Sequence, residues 1–203
     1  MGKDKVVISI GRQYGSGGRE IGRRLAEIFN IKFYDKELIT LAAKQSGFSE
    51  DVLKENDEKH NGSFLYSLVM GTYTGGDNLP LNHKLFLAQF DTIKKLAEEE
   101  SCVIIGRCAD YALEYNPNCV KAFIRADIDT RIKRAINEYG VNPETVEEKI
   151  KKIDKQRENY YNFYTGKKWG NMENYDITLN SACTGIDGAI KVIEDLVRNK
   201  YDI

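Results

Sequence analysis

Residues 6–29 read VVISIGRQYGSGGREIGRRLAEIF, and the order of patterns in that stretch decides the fold. Val6 to Ile10 is a short, β-branched, nearly all-apolar run, the composition of a strand covered on both faces in a parallel sheet. GRQYGSGG follows, and then REIGRRLAEIF, where Ile21, Leu25, Ile28 and Phe29 recur at helical spacing while Arg19, Arg23, Arg24 and Glu27 face elsewhere. A central strand, a glycine-rich turn and an amphipathic helix succeed one another.

The same alternation continues outward. Short apolar runs at Lys32–Tyr34, Cys102–Ile105, Val120–Ile124 and Ile177–Leu179 are each followed by a helical pattern. Strands alternating with helices imply right-handed crossovers, a parallel sheet and helices on both of its faces, an α/β fold in three layers. The interval between the second and third strands is longer than the rest, about 65 residues. It carries its own stripes, Leu38, Ile39, Leu41 and Ala42 early and Phe86, Phe90, Ile93 and Ala97 late, around a break at GTYTGGDNLP. This is the pattern of a helical insertion over the sheet rather than of a second domain.

The chain has 203 residues, 41% apolar and 30% charged, enough for one substantial core and hence one domain over residues 1–203. A formal charge of −1 provides no global field for a nucleic-acid backbone or an anionic membrane. No apolar run approaches the roughly 18 residues of a membrane span, and MGKDKVVISI is too short for a signal peptide, so a cytoplasmic location is expected. Cys102, Cys108, Cys119 and Cys183 lack metal-ligand spacing and a neighbouring histidine, which makes them small buried hydrophobes in this reading. Oligomeric state is left open.

The glycine-rich turn carries the chemistry. A turn that leaves a central strand and opens a helix aims backbone N–H groups and the positive end of the helix dipole at one point, which suits a phosphate. Gly15, Gly17 and Gly18 permit close approach, Ser16 adds a hydroxyl, and Glu20 occupies the place where a dinucleotide motif would carry its third glycine. The P-loop pattern GxxxxGK[ST] is not met: Gly18 stands at the lysine position and Arg19 at the hydroxyl position. Arg19 could deliver the missing charge but not the metal ligand, leaving Ser16 or a carboxylate through water for Mg²⁺. Arg12 and Arg19 flank the turn, and a plain structural connection needs no such cations.

Other charged residues gather at the same sheet edge. Asp35 follows the second strand and suits either a metal or substrate hydroxyl, or an N-cap for a helix beginning at Lys36. Arg107, with Asp110 one turn later, emerges after the third strand and is a candidate for an acceptor phosphate. Arg131 and Arg134 lie three residues apart on the helix after the fourth strand, where they could clamp a polyphosphate or simply face solvent. Arg157 falls on the seam Val146, Ile150, Ile153, Tyr160, Tyr164, so its guanidinium must find a structural carboxylate or a bound phosphate. The aromatic tract YYNFYTGKKWG reads as packing in preference to a base-stacking surface.

Taken together, VVISIGRQYGSGGREIGRRLAE, FYDKELI, CVIIGRCAD, VKAFIRADIDTRIKRAI and YDITLNSACTGIDGAIKVI resemble the cytidylate kinase-like branch of the P-loop nucleoside monophosphate kinases. The resemblance covers essentially the whole chain. It implies a five-stranded parallel sheet ordered 2-3-1-4-5, a monophosphate-binding insertion at about 36–100, and a short lid near 131–157. It also implies transfer of the ATP γ-phosphoryl group to a nucleoside monophosphate or related small phosphorylated acceptor, with ATP and Mg²⁺ as cofactors. On that pattern Gly15 to Arg19 hold donor phosphates, Asp35 and Arg107 face the acceptor, and Arg131, Arg134 and Arg157 close on the transferring group. A nucleotide- or phosphate-sensing module without turnover is the alternative, favoured by the lost lysine and disfavoured by the retained arginines.

Overall fold

The structure, a computed structural model, describes residues 5–35, Leu38, Leu41 and 81–203. The elements run β1 (Val7–Arg12), α1 (Gly18–Phe29), β2 (Lys32–Tyr34), α2 (Leu81–Glu99), β3 (Cys102–Ile105), α3 (Ala109–Ala112), β4 (Cys119–Arg125), α4 (Ile128–Tyr139), α5 (Val146–Thr165), a 3₁₀ turn (Met172–Asn174), β5 (Ile177–Asn180) and α6 (Ser181–Tyr201). The sheet has five strands in the order β2-β3-β1-β4-β5, every pairing parallel. That is the order implied by the resemblance.

β1 is central because its side chains are apolar in both directions. Ile8 and Ile10 point to the face covered by α1 and α6, where Ile21, Leu25, Ile190 and Ile193 bury them. Val7 points to the opposite face, against Ile93 and Leu96 of α2 and Ala109 of α3. The period of two along a strand thus divides a continuous apolar run between two helical layers. All four side chains of β3 are likewise buried.

The roll of α1 departs from the expected stripe. Ile28 is exposed, and the buried face is Gly18, Ile21, Gly22, Leu25 and Ala26. A Cβ at Gly22 would collide with Ile105 Cδ1 and come within 3.1 Å of Ile10 Cδ1, so the missing side chain lets the helix settle directly on the strands. That approach turns residues 22 and 26 inward and Ile28 out. Tyr139 is exposed at the end of α4, its ring edge-on to Tyr14 at 5.5 Å.

α4 and α5 form a smaller unit over the end of β1. Ala135, Val141, Val146 and Ile150 make its core, with Tyr14, Ile128 and Ile132 packed against it. Asp127 caps α4 by accepting from Thr130 N at 2.8 Å, and Gly140 ends the helix at φ 62°. The aromatic tract packs as expected: Tyr161 is buried with Phe86 and Cys108, and the Phe86 and Tyr164 rings stack at 4.2 Å. Cys102, Cys108 and Cys119 are buried, whereas Cys183, in the first turn of α6, is exposed. No helix among the described residues is long and apolar enough to cross a membrane. The expected helix start at Lys36, the early stripe apart from Leu38 and Leu41, and the GTYTGGDNLP break lie outside the described residues.

Candidate phosphate-binding site

The glycine-rich turn occupies residues 13–17, between β1 and α1. Gly15 and Gly17 have φ of 79° and 81°, the left-handed region where a side chain would be strained. A Cβ at Gly15 would also stand 2.7 Å from the Arg131 carbonyl oxygen, so α4 lies directly against the turn.

Several long-range hydrogen bonds hold the turn in shape. Gln13 N donates to Ile124 O at 3.0 Å, and Ala126 N donates to Gln13 Oε1 at 3.1 Å, pinning it to the end of β4. Ser181 Oγ, at the start of α6, donates to the Ser16 carbonyl at 2.7 Å. Ser16 is buried and its own hydroxyl donates to Gln13 O at 2.9 Å, so this side chain closes the turn from within. Tyr14 N donates to Asp154 Oδ1 of α5 at 2.7 Å.

Asp154 gathers the cations of the small unit. Its carboxylate is ion-paired with Arg131 and stands 3.9 Å from Arg157. Arg157 Nη1 donates to the Arg12 carbonyl at 3.0 Å, and its guanidinium lies 5.8 Å from the Tyr14 ring centroid. Burial lowers the Arg157 guanidinium from its ordinary value, and Asp154 and Asp35 oppose the shift. Arg157 is thus met by a carboxylate on its own helix, three residues upstream, and by the end of β1.

Arg131 and Arg134 are not solvated helix residues. Their side chains are 11% and 18% exposed, and Arg134 is ion-paired with Glu20 of α1. The Nε groups of both are buried without a hydrogen-bond partner among the described residues, and Arg134 Nε lies 3.4 Å from where a Cβ at Gly17 would be. Guanidinium groups beside a positive-φ glycine turn are chemistry suited to an anion.

Arg19 is held by a carboxylate at the edge of the sheet. Its side chain is 56% exposed, donates from Nε to Asp35 at 2.5 Å and lies over the Phe33 ring at 5.7 Å. Asp35 also stands 3.9 Å from Arg12 Nη2. The sequence expectation that Arg19 carries the lysine's charge into the turn therefore meets a side chain held along the outer edge by β2.

Two cavities open at this edge. One, of about 360 Å³, is lined by Arg12, Tyr14, Gly15, Gly17, Gly18, Arg19 and Arg157 among others. The second, of about 330 Å³, is lined by Arg12, Arg107, Asp110, Arg157, Tyr160 and Trp169 among others. Arg12 and Arg157 belong to both.

The second cavity rests on an unusual backbone. Gly106, Arg107 and Cys108 have consecutive φ values of 70°, 57° and 55°, and Ala109 N donates to Gly106 O at 3.0 Å to close the turn. Left-handed conformation costs a non-glycine residue roughly 1–2 kcal/mol, so this turn is held by its surroundings rather than by preference. Asp110 follows, buried, and accepts from Tyr161 Oη at 2.6 Å. Burial raises the Asp110 carboxyl above its ordinary value against the pull of that hydrogen bond. The Tyr161 hydroxyl is likewise raised, by burial and then by Asp110, and stays protonated. Burial pushes the Cys108 thiol up, which removes it as a nucleophile at neutral pH.

Asp154, Gln13, Tyr14 and Ser181 are the contributors that sequence reasoning missed. Asp154 had a legible signal, its i, i+3 spacing to an arginine on an apolar seam. The others act through main-chain contacts that no residue type announces.

A three-layer α/β fold with a central parallel sheet in the order 2-3-1-4-5 and a glycine turn opening α1 is the fold of the P-loop kinases. Solved structures agree on the fold. A shikimate kinase from Bacteroides thetaiotaomicron matches with a TM-score of 0.57 at 16% identity, covering 95% of this chain and 98% of that one. An uncharacterized protein from Eubacterium ventriosum matches with a TM-score of 0.72 at 33% identity, again over 95% and 98%. A cytidylate kinase from Pyrococcus horikoshii is 24% identical over 196 residues, 96% of this chain and 89% of that protein. The family model described as the cytidylate kinase-like family matches residues 7–182, and the chain belongs to that family.

Proposed function

We propose that the chain transfers the γ-phosphoryl group of ATP to a nucleoside monophosphate of the cytidylate type, or to a closely related small phosphorylated acceptor. The observation that carries this reading is the pair of adjoining cavities sharing Arg12 and Arg157. One ends on the positive-φ glycine turn and suits the donor phosphates. The other offers Arg107 for the acceptor phosphate, aromatic walls from Tyr160 and Trp169 for a base, and Asp110 for a hydrogen-bond donor on it.

In this reaction an acceptor phosphate oxygen forms a bond to the γ-phosphorus while the bond to the β–γ bridging oxygen breaks and ADP leaves. Such a transfer asks the protein for alignment and charge rather than for a nucleophile. Gly15, Ser16, Gly17, Gly18 and Glu20 frame the donor side, with Arg19 and Asp35 at its rim. Arg131, Arg134 and Arg157 stand over the turn, where unpaired Nε groups of the first two await an anion. Segments 36–100 and 131–157 are the insertion and lid that close over the substrates and exclude water.

The turn suits a triphosphate, since its positive-φ glycines line a cavity flanked by Arg12 and Arg157. Mg²⁺, when bound, would neutralise charge on the donor phosphates. Ser16, which closes the turn from within, is poorly disposed as its ligand, and no group of three His, Cys, Asp or Glu forms a metal site among the described residues. Phosphate oxygens and water, with Asp35 as the carboxylate on that edge, are the donors left to it.

Incubation with ATP, Mg²⁺ and a panel of CMP, dCMP, UMP, AMP and GMP, read as ADP formed, tests the reading. Acceptor-dependent ADP well above the ATPase background is the expected result. Thermal stabilisation by nucleotide with no turnover on any acceptor would instead point to the sensing module.

A further inference from the structure

Arg12 occupies a place that the P-loop pattern gives to another residue type. With Gly18 at the lysine position, GxxxxGK[ST] puts its first glycine at residue 12, so the two positions have exchanged glycine for cation. The structure shows the exchange to be spatial as well. A Cβ at Gly18 would stand 2.6 Å from Arg12 Cβ and 3.2 Å from its Cγ, so the arginine stem runs where a side chain at position 18 would begin. At its other end, a Cβ at Gly106 would collide with Arg12 Nη1. Two glycines, one opening α1 and one following β3, thus leave room for one arginine side chain.

That guanidinium stands at the junction of the donor and acceptor cavities. Its side chain is 20% exposed, and Asp35 is 3.9 Å away. Burial, and then repulsion from Arg157, lowers it to about 9, with Arg107 and Arg19 adding to the repulsion, so it remains cationic at neutral pH. Gathering these cations is unfavourable unless an anion joins them.

We propose that Arg12 replaces the P-loop lysine, holding the γ-phosphoryl group by its guanidinium as it passes from ATP to the acceptor. This rests on the kinase reading above and names the residue in which that reading's missing charge resides. The acceptor oxygen binds the γ-phosphorus, the β–γ bridge breaks towards ADP, and Arg12 keeps its proton throughout, neutralising the equatorial oxygens. A planar fork seated between Gly18 and Gly106 can face both sides of the transfer, as a flexible ammonium from the helix would do in the usual arrangement.

Arg12→Met, Arg12→Lys and, as an exposed control on α6, Lys191→Ala separate this role from a structural one. ATP affinity is measured by calorimetry, kcat and KM with the best monophosphate acceptor, and folding by thermal unfolding. Arg12→Met is expected to lower kcat by roughly 10²-fold or more, the scale of one preorganised charge donor. Arg12→Lys is expected to recover part of that loss, and Lys191→Ala to leave kcat unchanged. A swap keeps the test decisive where Arg12→Met folds poorly. Gly18→Lys alone is expected to weaken ATP binding, because its stem meets Arg12, and Arg12→Gly with Gly18→Lys to bind ATP at least ~10-fold more tightly than Arg12→Gly. Near wild-type kcat in Arg12→Met, or no recovery in the swap, would overturn the assignment. Wild-type protein that binds ATP but turns over no acceptor would sink the kinase reading, with ATP affinities still deciding whether Arg12 holds the phosphate.

Discussion

Asp154 of α5 accepts a hydrogen bond from the main-chain N–H of Tyr14 at 2.7 Å and an ion pair from Arg131, joining the glycine turn to both helices of the small unit. A single carboxylate thereby sets the distance between the turn and the cations above it. Replacing it by asparagine keeps an oxygen for the backbone donor but leaves two largely covered guanidinium groups without the charge they share.

Asp154→Asn is accordingly expected to destabilise the fold by about 1.5–3 kcal/mol, the range for hydrogen bonds to charged groups. Urea unfolding checks the magnitude. ATP affinity should fall in parallel, since Arg131 and the turn lose their common anchor. An unchanged midpoint would mean that Asp154 merely accompanies the packing of Val146 and Ile150.

Gly106→Ala combines a φ of 70° with a Cβ directed at Arg12 Nη1. The backbone alone is expected to cost about 1–2 kcal/mol in unfolding free energy. Displacement of the Arg12 head should also lower turnover more than it lowers ATP affinity. Equal loss in both, or neither, would separate Gly106 from the position of that guanidinium.

The pH dependence follows from Asp110. Its folded-state carboxyl lies above the ordinary 3.8, first because it is buried. The folded chain therefore holds this proton more tightly than the unfolded one. The resulting contribution to stability is present in full below 3.8 and is lost as pH rises from there through the folded value. Asp110→Asn keeps an acceptor for Tyr161 Oη and cannot ionise. It should gain stability relative to wild type as pH rises from 4 to 7, measured by urea unfolding at each pH. A difference that stays constant over the range would remove the carboxyl's burial as its cause.

Ser181→Ala deletes the hydroxyl that ties α6 to the Ser16 carbonyl. A net loss of about 0.5–1.5 kcal/mol is expected for one such bond. Hydrogen exchange should show faster opening of amides in the turn, with those of β3 unaffected.

The sequence made the layers of the fold legible. Val6–Ile10 and Cys102–Ile105 are apolar in both directions, which only a doubly covered strand requires, and the turn in GRQYGSGG declares its phosphate chemistry through glycines. The roll of α1 was less visible, because Ile28 satisfies the helical stripe and only the close approach at Gly22 turns it outward. Arg19 was the natural substitute for the lysine when the chain was read along its length, being the next cation after the turn.

By itself, then, the chain determined which elements form and in what order, and set a glycine turn suited to an anion after β1, since hydrophobic period and glycine spacing are local properties. Only the tertiary structure decided which cations face that anion. Parallel crossovers bring Arg12, Gly18, Gly106, Asp154 and Arg157 together from distant parts of the sequence, and side-chain volume settles the rest. Arg12 fills the space that two missing Cβ atoms leave, while Arg19 is drawn to Asp35 at the edge of the sheet.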